Sequence, residues 1–105
     1  MNLQQLTDEV VTVSDIYAGK FGIERDDAWY LLKLQEEIGE LTQAFLMRAG
    51  QARDKGRSAE EIDSGFRGEL ADVLCHVLLM AQHHGVDLQA EVERKWLPWN
   101  PARVG

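Results

Sequence analysis

The chain has 105 residues, 45% of them hydrophobic, which fits a single folded domain over residues 1 to 105. Eighteen Asp and Glu against eleven Lys and Arg give a formal charge of -7. Such a surface repels a phosphate backbone, which excludes long nucleic acid as a partner and requires a divalent cation to mediate any encounter with a phosphate compound.

The opening "MNLQQLTDEVVTV" has no basic region ahead of an apolar core, and no apolar run reaches bilayer length, so a cytoplasmic protein without membrane contact is expected. Leu3, Leu6, Val10, Val13 and Tyr17 recur at three- and four-residue steps and predict a first helix ending at "AGKFG". Asp26 is the expected N-cap of a long second helix. Its stripe is Leu31, Leu34, Ile38, Leu41 and Phe45, and Gly50 is its stop.

Residues 49 to 57, "GQARDKGR" and its flank, are polar and glycine-punctuated and read as a loop; Arg53, Lys55 and Arg57 there are solvated or close over phosphates. Ser58 and Glu61 have capping-box spacing and open a third helix expected to run to His84 and stop at Gly85. Gly65 and Gly68 each weaken it by about 1 kcal/mol, so irregular first turns are expected. Asp87 caps a shorter fourth helix through Trp96, Pro98 breaks it, and the tail "WNPARVG" is expected to be extended. The fold class is therefore all-α, a four-helix protomer without strands.

Within this frame the acids are distributed unevenly. "KLQEEIGELTQAF" carries Glu36, Glu37 and Glu40 within an arc of roughly 100°, opposite the aliphatic stripe. In "GELADVL", Glu69 and Asp72 are three apart and share a face. If the second and third helices form an antiparallel hairpin about the loop, residues at one level have numbers summing to about 107, which brings both acidic groups to the same height within a turn. Like charges about 4 Å apart repel by roughly 4 kcal/mol at an effective dielectric of 20, so convergence requires a cation. An all-oxygen donor set suits Mg²⁺ or Mn²⁺. The competing reading is a solvated acidic face with weak ion pairs, Lys33 standing four residues before Glu37.

"EEIGE", followed after 28 residues by "ELAD", resembles the E-E-x-x-E then E-x-x-D signature of the MazG-like all-α nucleoside triphosphate pyrophosphohydrolases, over the second to fourth helices. The resemblance implies Mg²⁺-dependent hydrolysis of a nucleoside triphosphate to the monophosphate and pyrophosphate by a dimer or tetramer of helical bundles, with house-cleaning of non-standard nucleotides as one such role. It implies Glu37, Glu40, Glu69 and Asp72 as metal ligands and Glu36 as the acid that orients or deprotonates the attacking water. It further implies that Lys95, Asn100 and Arg103 in "KWLPWNPAR" reach the triphosphate, although two prolines and an additional residue set this segment apart from some relatives. Lys95 also reads as a cation complementing a helix C-terminus.

Lys33 and Trp29 are further candidate substrate contacts; Trp29 stacks on a base or packs on the first helix. His76, on the Asp72 face, reads as a residue behind the ligands, and His83 as a surface residue. Cys75, without a partner for a disulfide, reads as a buried small hydrophobe. "VLCHVLLMAQ", residues 73 to 82, is apolar nearly all round, more than three short helices can cover, so an isologous helical interface with a second copy is expected. Two rival functions remain: a non-catalytic helical interaction module with an acidic face, and a di-iron carboxylate bundle, which lacks its Glu-x-x-His spacing here.

Overall fold

The computed structural model describes residues 1 to 103. Among them are four α-helices and no strand: α1 (Leu3–Phe21), α2 (Asp27–Arg48), α3 (Ala59–His83) and α4 (Leu88–Lys95). No helix of the structure is long and apolar enough to cross a membrane.

Each helix begins where a side chain can satisfy its orphan amides. Asp26 accepts from Trp29 N at 2.8 Å and Asp87 from Ala90 N at 3.1 Å. Ser58 and Glu61 form the expected reciprocal box, with bonds of 3.1 and 3.0 Å. A second box, Asn2 with Gln5, opens α1 and was not expected from the sequence. At the ends of α2 and α3, Gly50 (φ 76°) and Gly85 (φ 67°) take the left-handed conformation. There Gln51 N bonds Leu46 O and Val86 N bonds Ala81 O, both at 2.8 Å, which occupies carbonyls the helices leave open.

Two local expectations are corrected. α3 is unbroken through Gly65 and Gly68, because its capping box and its packing on α2 outweigh the small cost of two glycines. As far as residue 103 the tail is not extended, Leu97–Trp99 and Pro101–Arg103 forming 3-10 turns, and its last two residues, Val104 and Gly105, lie outside the described residues. Pro98 and Pro101 supply a φ compatible with such turns, and the Asn100 side chain accepts from Ala102 N at 3.1 Å.

α2 and α3 form the expected antiparallel hairpin, which is the dominant packing in the chain, and α1 lies against α3. Phe45 with Phe66, Arg48 with Asp63, and Asp27 with His83 pair across it, giving number sums of about 110, near the expected register. Arg25 ties the α1–α2 connection back to α1, donating to Ser14 Oγ at 2.8 Å and to Asp15 at 2.7 Å.

The face α2 turns inward differs from its aliphatic stripe. Its buried residues are Tyr30 and Glu37, with Leu34 and Leu41 half-buried, whereas Leu31, Ile38 and Phe45 remain 39–49% exposed. The helix is thus rotated by roughly 50° toward its acidic arc relative to the stripe. On α1, Thr7 and Ala18 are buried while Val13 and Tyr17 stay open. α3 supplies Leu78, Leu79 and Ala81 to the core, but Leu74 is 47% exposed and Cys75, expected to be buried, is half-buried.

A compact 11.9 kDa chain exposes about 6,000 Å² and has a radius of gyration near 13 Å. This chain exposes 7980 Å² and measures 16.8 Å. The excess lies on exposed Val13, Ile16, Leu32, Leu70, Leu74 and Trp96, among others.

Leu78 is the pivot of the small core at 1% exposure. Leu78→Ala is expected to lower the unfolding free energy by about 2–5 kcal/mol in urea titrations followed by circular dichroism.

Candidate metal centre

The hairpin register and the rotation of α2 together carry Glu37 and Glu40 to the side of α3 that presents Glu69. Carboxylate oxygens of Glu37, Glu40 and Glu69 lie within 4.8 Å of one another. Glu37 is buried, Glu69 half-buried and Glu40 exposed, so the trio runs from the helix interface out to solvent. Spacing alone placed these acids beside the core; the structure puts one of them inside it.

Asp72 falls outside this trio, although its charge acts on both Glu37 and Glu69. Glu36 is turned outward and pairs with Lys33, whose Nζ is 3.4 Å from Glu36 and 3.8 Å from Glu37. Among the described residues, Lys33 is the one Lys or Arg within ion-pair reach of any of these five acids. One ammonium therefore faces five carboxylates. The imbalance is visible atom by atom: Glu37 Oε2 and Glu69 Oε2 are buried without a hydrogen-bond partner. A buried carboxylate oxygen with neither donor nor cation is costly, and the cost can be relieved by a proton or by a metal ion.

Titration behaviour follows. Burial, then the Glu40 charge, pushes Glu37 above the ordinary 4.5, with Lys33 opposing in part. Glu69 is raised by burial, then by the charges of Glu40 and Asp72. Behind Glu37 stands His76, with Nε2 at 3.7 Å from Glu37 Oε1 and Nδ1 buried without a partner. Burial, then Lys33, lowers the His76 pKa, which favours the neutral ring despite the nearby acids.

Glu37 and Asp72 border a groove of about 610 Å³, within the range that holds a small molecule. Trp29, Lys33, Glu37, Asp72 and His76 line it from α2 and α3, and α1 contributes Val10, Val13, Ser14 and Tyr17. Trp29 packs edge-on against Tyr30 at 5.0 Å and near His76 at 6.3 Å, so it belongs to the groove wall where its ring is available to a ligand. The α1 side was missed in the sequence because a valine and tyrosine stripe reads first as a core-facing pattern. His83, expected as a surface residue, is exposed yet engaged: it stacks on Tyr30 and bonds Asp27 at 2.6 Å. Lys95, Asn100 and Arg103 do not line the groove within one chain, nor do Arg53, Lys55 and Arg57.

The raised carboxyls carry a definite sign. Their folded pKa values exceed the unfolded ones, so their favourable contribution is complete below the ordinary Glu range and is lost as pH rises through the raised folded values. In chelator, the melting temperature is expected to fall over that upward interval, and Glu37→Gln is expected to flatten the fall and raise the neutral-pH Tm, measured by scanning fluorimetry from pH 4 to 8. No protein-family model, curated protein or solved structure matches the chain, so the site is read from its own residues and geometry.

Proposed function

We propose that this protein is a Mg²⁺-dependent hydrolase that cleaves a nucleoside or deoxynucleoside triphosphate to the monophosphate and pyrophosphate, as the MazG-like signature in "EEIGE" and "ELAD" implies. The observation that carries the reading is the convergence of Glu37, Glu40 and Glu69 with two buried carboxylate oxygens left unmatched. Mn²⁺ fits the same donors.

The donor set fits a hard divalent ion: all ligand atoms are carboxylate oxygens, and one flank opens to a groove. Glu37, Glu40 and Glu69 would hold it, while Asp72, outside the trio, adds its charge beside Glu37 and Glu69. Magnesium bound there supplies charge neutralisation for the polyphosphate and acidifies a coordinated water.

The remaining roles belong to the chain's own groups. Glu36, outside the trio and exposed, can accept the proton of the attacking water, with Lys33 holding the Glu36 carboxylate in place. Lys33 also offers its ammonium to a phosphoryl oxygen at the mouth of the groove. Trp29 and Tyr17 offer aromatic faces to the nucleobase. Val10, Val13 and Leu79 give the groove an apolar wall, beside which electrostatic contacts are stronger than in open water.

A second copy of the chain completes this reading. The surplus of about 2,000 Å² over a compact monomer is the scale of a stable protein interface. An isologous contact would cover the open faces of α1, α2 and α3, and would let Lys95, Asn100 and Arg103 of one protomer approach the groove of the other.

An acidic docking module is the rival. Docking acids belong on a solvated surface, whereas Glu37 is 7% exposed and sits in the α2–α3 interface. Its position supports a site built inward.

Three measurements test the proposal. A panel of standard and damaged nucleoside triphosphates with Mg²⁺ or Mn²⁺ should yield pyrophosphate and monophosphate, with Glu40→Ala and Asp72→Ala reducing turnover by at least about a hundredfold; Mg²⁺ should also raise the parent Tm, and Glu40→Ala should lose that shift. Pyrophosphate release at the parent rate from Glu40→Ala contradicts the assignment. Light scattering on the eluted protein should give two or four times the chain mass of 11.9 kDa, and a monomeric mass at micromolar concentration contradicts the second copy.

A further inference from the structure

The end of the hairpin opposite the loop brings together a different donor set. Asp27, in the first turn of α2, meets His83 and His84 at the end of α3, and one ligand atom of each lies within 4.8 Å of the other two. We propose that Asp27, His83 and His84 form a second metal site, selective for a borderline d-block dication such as Zn²⁺ or Ni²⁺, which clamps the open end of the α2–α3 hairpin.

Three observations carry it. First, the donors are two imidazoles and one carboxylate, which favour zinc, nickel or copper and disfavour the hard, strongly hydrated Mg²⁺. Second, His83 is oriented before any ion arrives. Its ring stacks on buried Tyr30 at 4.3 Å and 22°, and its Nε2 points at Asp27 Oδ1, 2.6 Å away. Third, His84 is the C-cap of α3, with ψ at 3°, and Gly85 follows in the left-handed region, so the chain departs from the helix at the point where a second adjacent imidazole is needed. The His84 ring stands edge-on to His83 at 5.0 Å.

The adjustment required is small. Ligand atoms around a tetrahedral zinc at about 2.0–2.1 Å stand roughly 3.3 Å apart. The Asp27–His83 pair has to open by under an ångström, and the spacing to His84 has to close by no more than about 1.5 Å. All three residues are exposed, so torsional movement of side chains accomplishes this without moving either helix. Three protein donors leave the fourth position to water.

The physical consequence is a staple. α2 and α3 are joined covalently by the loop at one end and by the Asp27–His83 bond at the other. An ion that binds only the folded hairpin replaces that single exposed bond with three, and stabilises the fold by mass action.

The test uses the full chain, freed of metal by chelator and exchanged into chelator-free buffer. Zn²⁺ is titrated by calorimetry and the Tm is followed in parallel, with the parent, His84→Ala, Asp27→Asn and Glu40→Gln compared. His84→Ala is the decisive variant, since it leaves both the Asp27–His83 bond and the Tyr30 stack in place. The parent should take up zinc at this site with a Tm rise on the order of 5–10 °C. His84→Ala and Asp27→Asn should weaken binding at least tenfold and abolish the rise, while Glu40→Gln should retain both. Cu²⁺ bound to the parent should show nitrogen superhyperfine structure in electron paramagnetic resonance, reduced in His84→Ala. Zinc affinity unchanged in His84→Ala, or zinc binding lost only in Glu40→Gln, overturns the proposal. Neither result bears on Mg²⁺-dependent pyrophosphate release, which Glu40→Ala tests separately.

Discussion

The structure turns on a carboxylate placed where a small all-α protein would ordinarily put a leucine. Glu37 sits in the interface between α2 and α3, 7% exposed, with one oxygen near Lys33 and His76 and the other unmatched. Burial of such a group destabilises the hairpin unless a proton or a cation compensates, so hairpin stability is linked to whatever occupies the site. Glu40 and Glu69 extend the same cluster outward and raise the electrostatic cost. Lys33 compensates in part, but a single half-exposed ammonium shared between Glu36 and Glu37 cannot neutralise five acids.

The position of Glu37 also accounts for the openness of the chain. α2 turns toward α3 a face that includes its acids, and Leu31, Ile38 and Phe45 are left at the edge of the contact. Fully buried apolar side chains are correspondingly few, and the chain remains more extended than its mass requires. The groove that α1 forms with α2 and α3 is one product of that openness: apolar along Val10, Val13 and Leu79, charged where Lys33, Glu37 and Asp72 meet it. A hydrophobic wall beside concentrated charge gives polar contacts more force than they have in open water.

Two levels of the hairpin contrast in their chemistry. Near the middle, hard oxygen donors converge at a partly buried position, and at the open end imidazoles and an aspartate converge on the surface. Both clusters pair α2 with α3 residues, and both depend on a register that the loop of residues 49 to 58 establishes and the Arg48–Asp63 pair and Phe45–Phe66 contact reinforce.

Much of this was legible beforehand, because helices follow from local chemistry. Asp26, Ser58 with Glu61, and Asp87 cap the helices expected of them, Gly50 and Gly85 end two of them, and hairpin register followed from loop position. The acidic trio was legible for the same reason: a spacing of three or four residues fixes a helix face. The rotation of α2 about its own axis was not, since it depends on which neighbours cover it, and periodicity alone assigns the aliphatic stripe to the core. Burial of Glu37, exclusion of Asp72 from the trio, the α1 wall of the groove, and the meeting of Asp27 with His83 across 56 positions were therefore decided by tertiary packing. Local sequence sets what each helix can present; only the arrangement of helices in space selects which of those groups share a volume, because desolvation and charge repulsion act through distance and not along the chain.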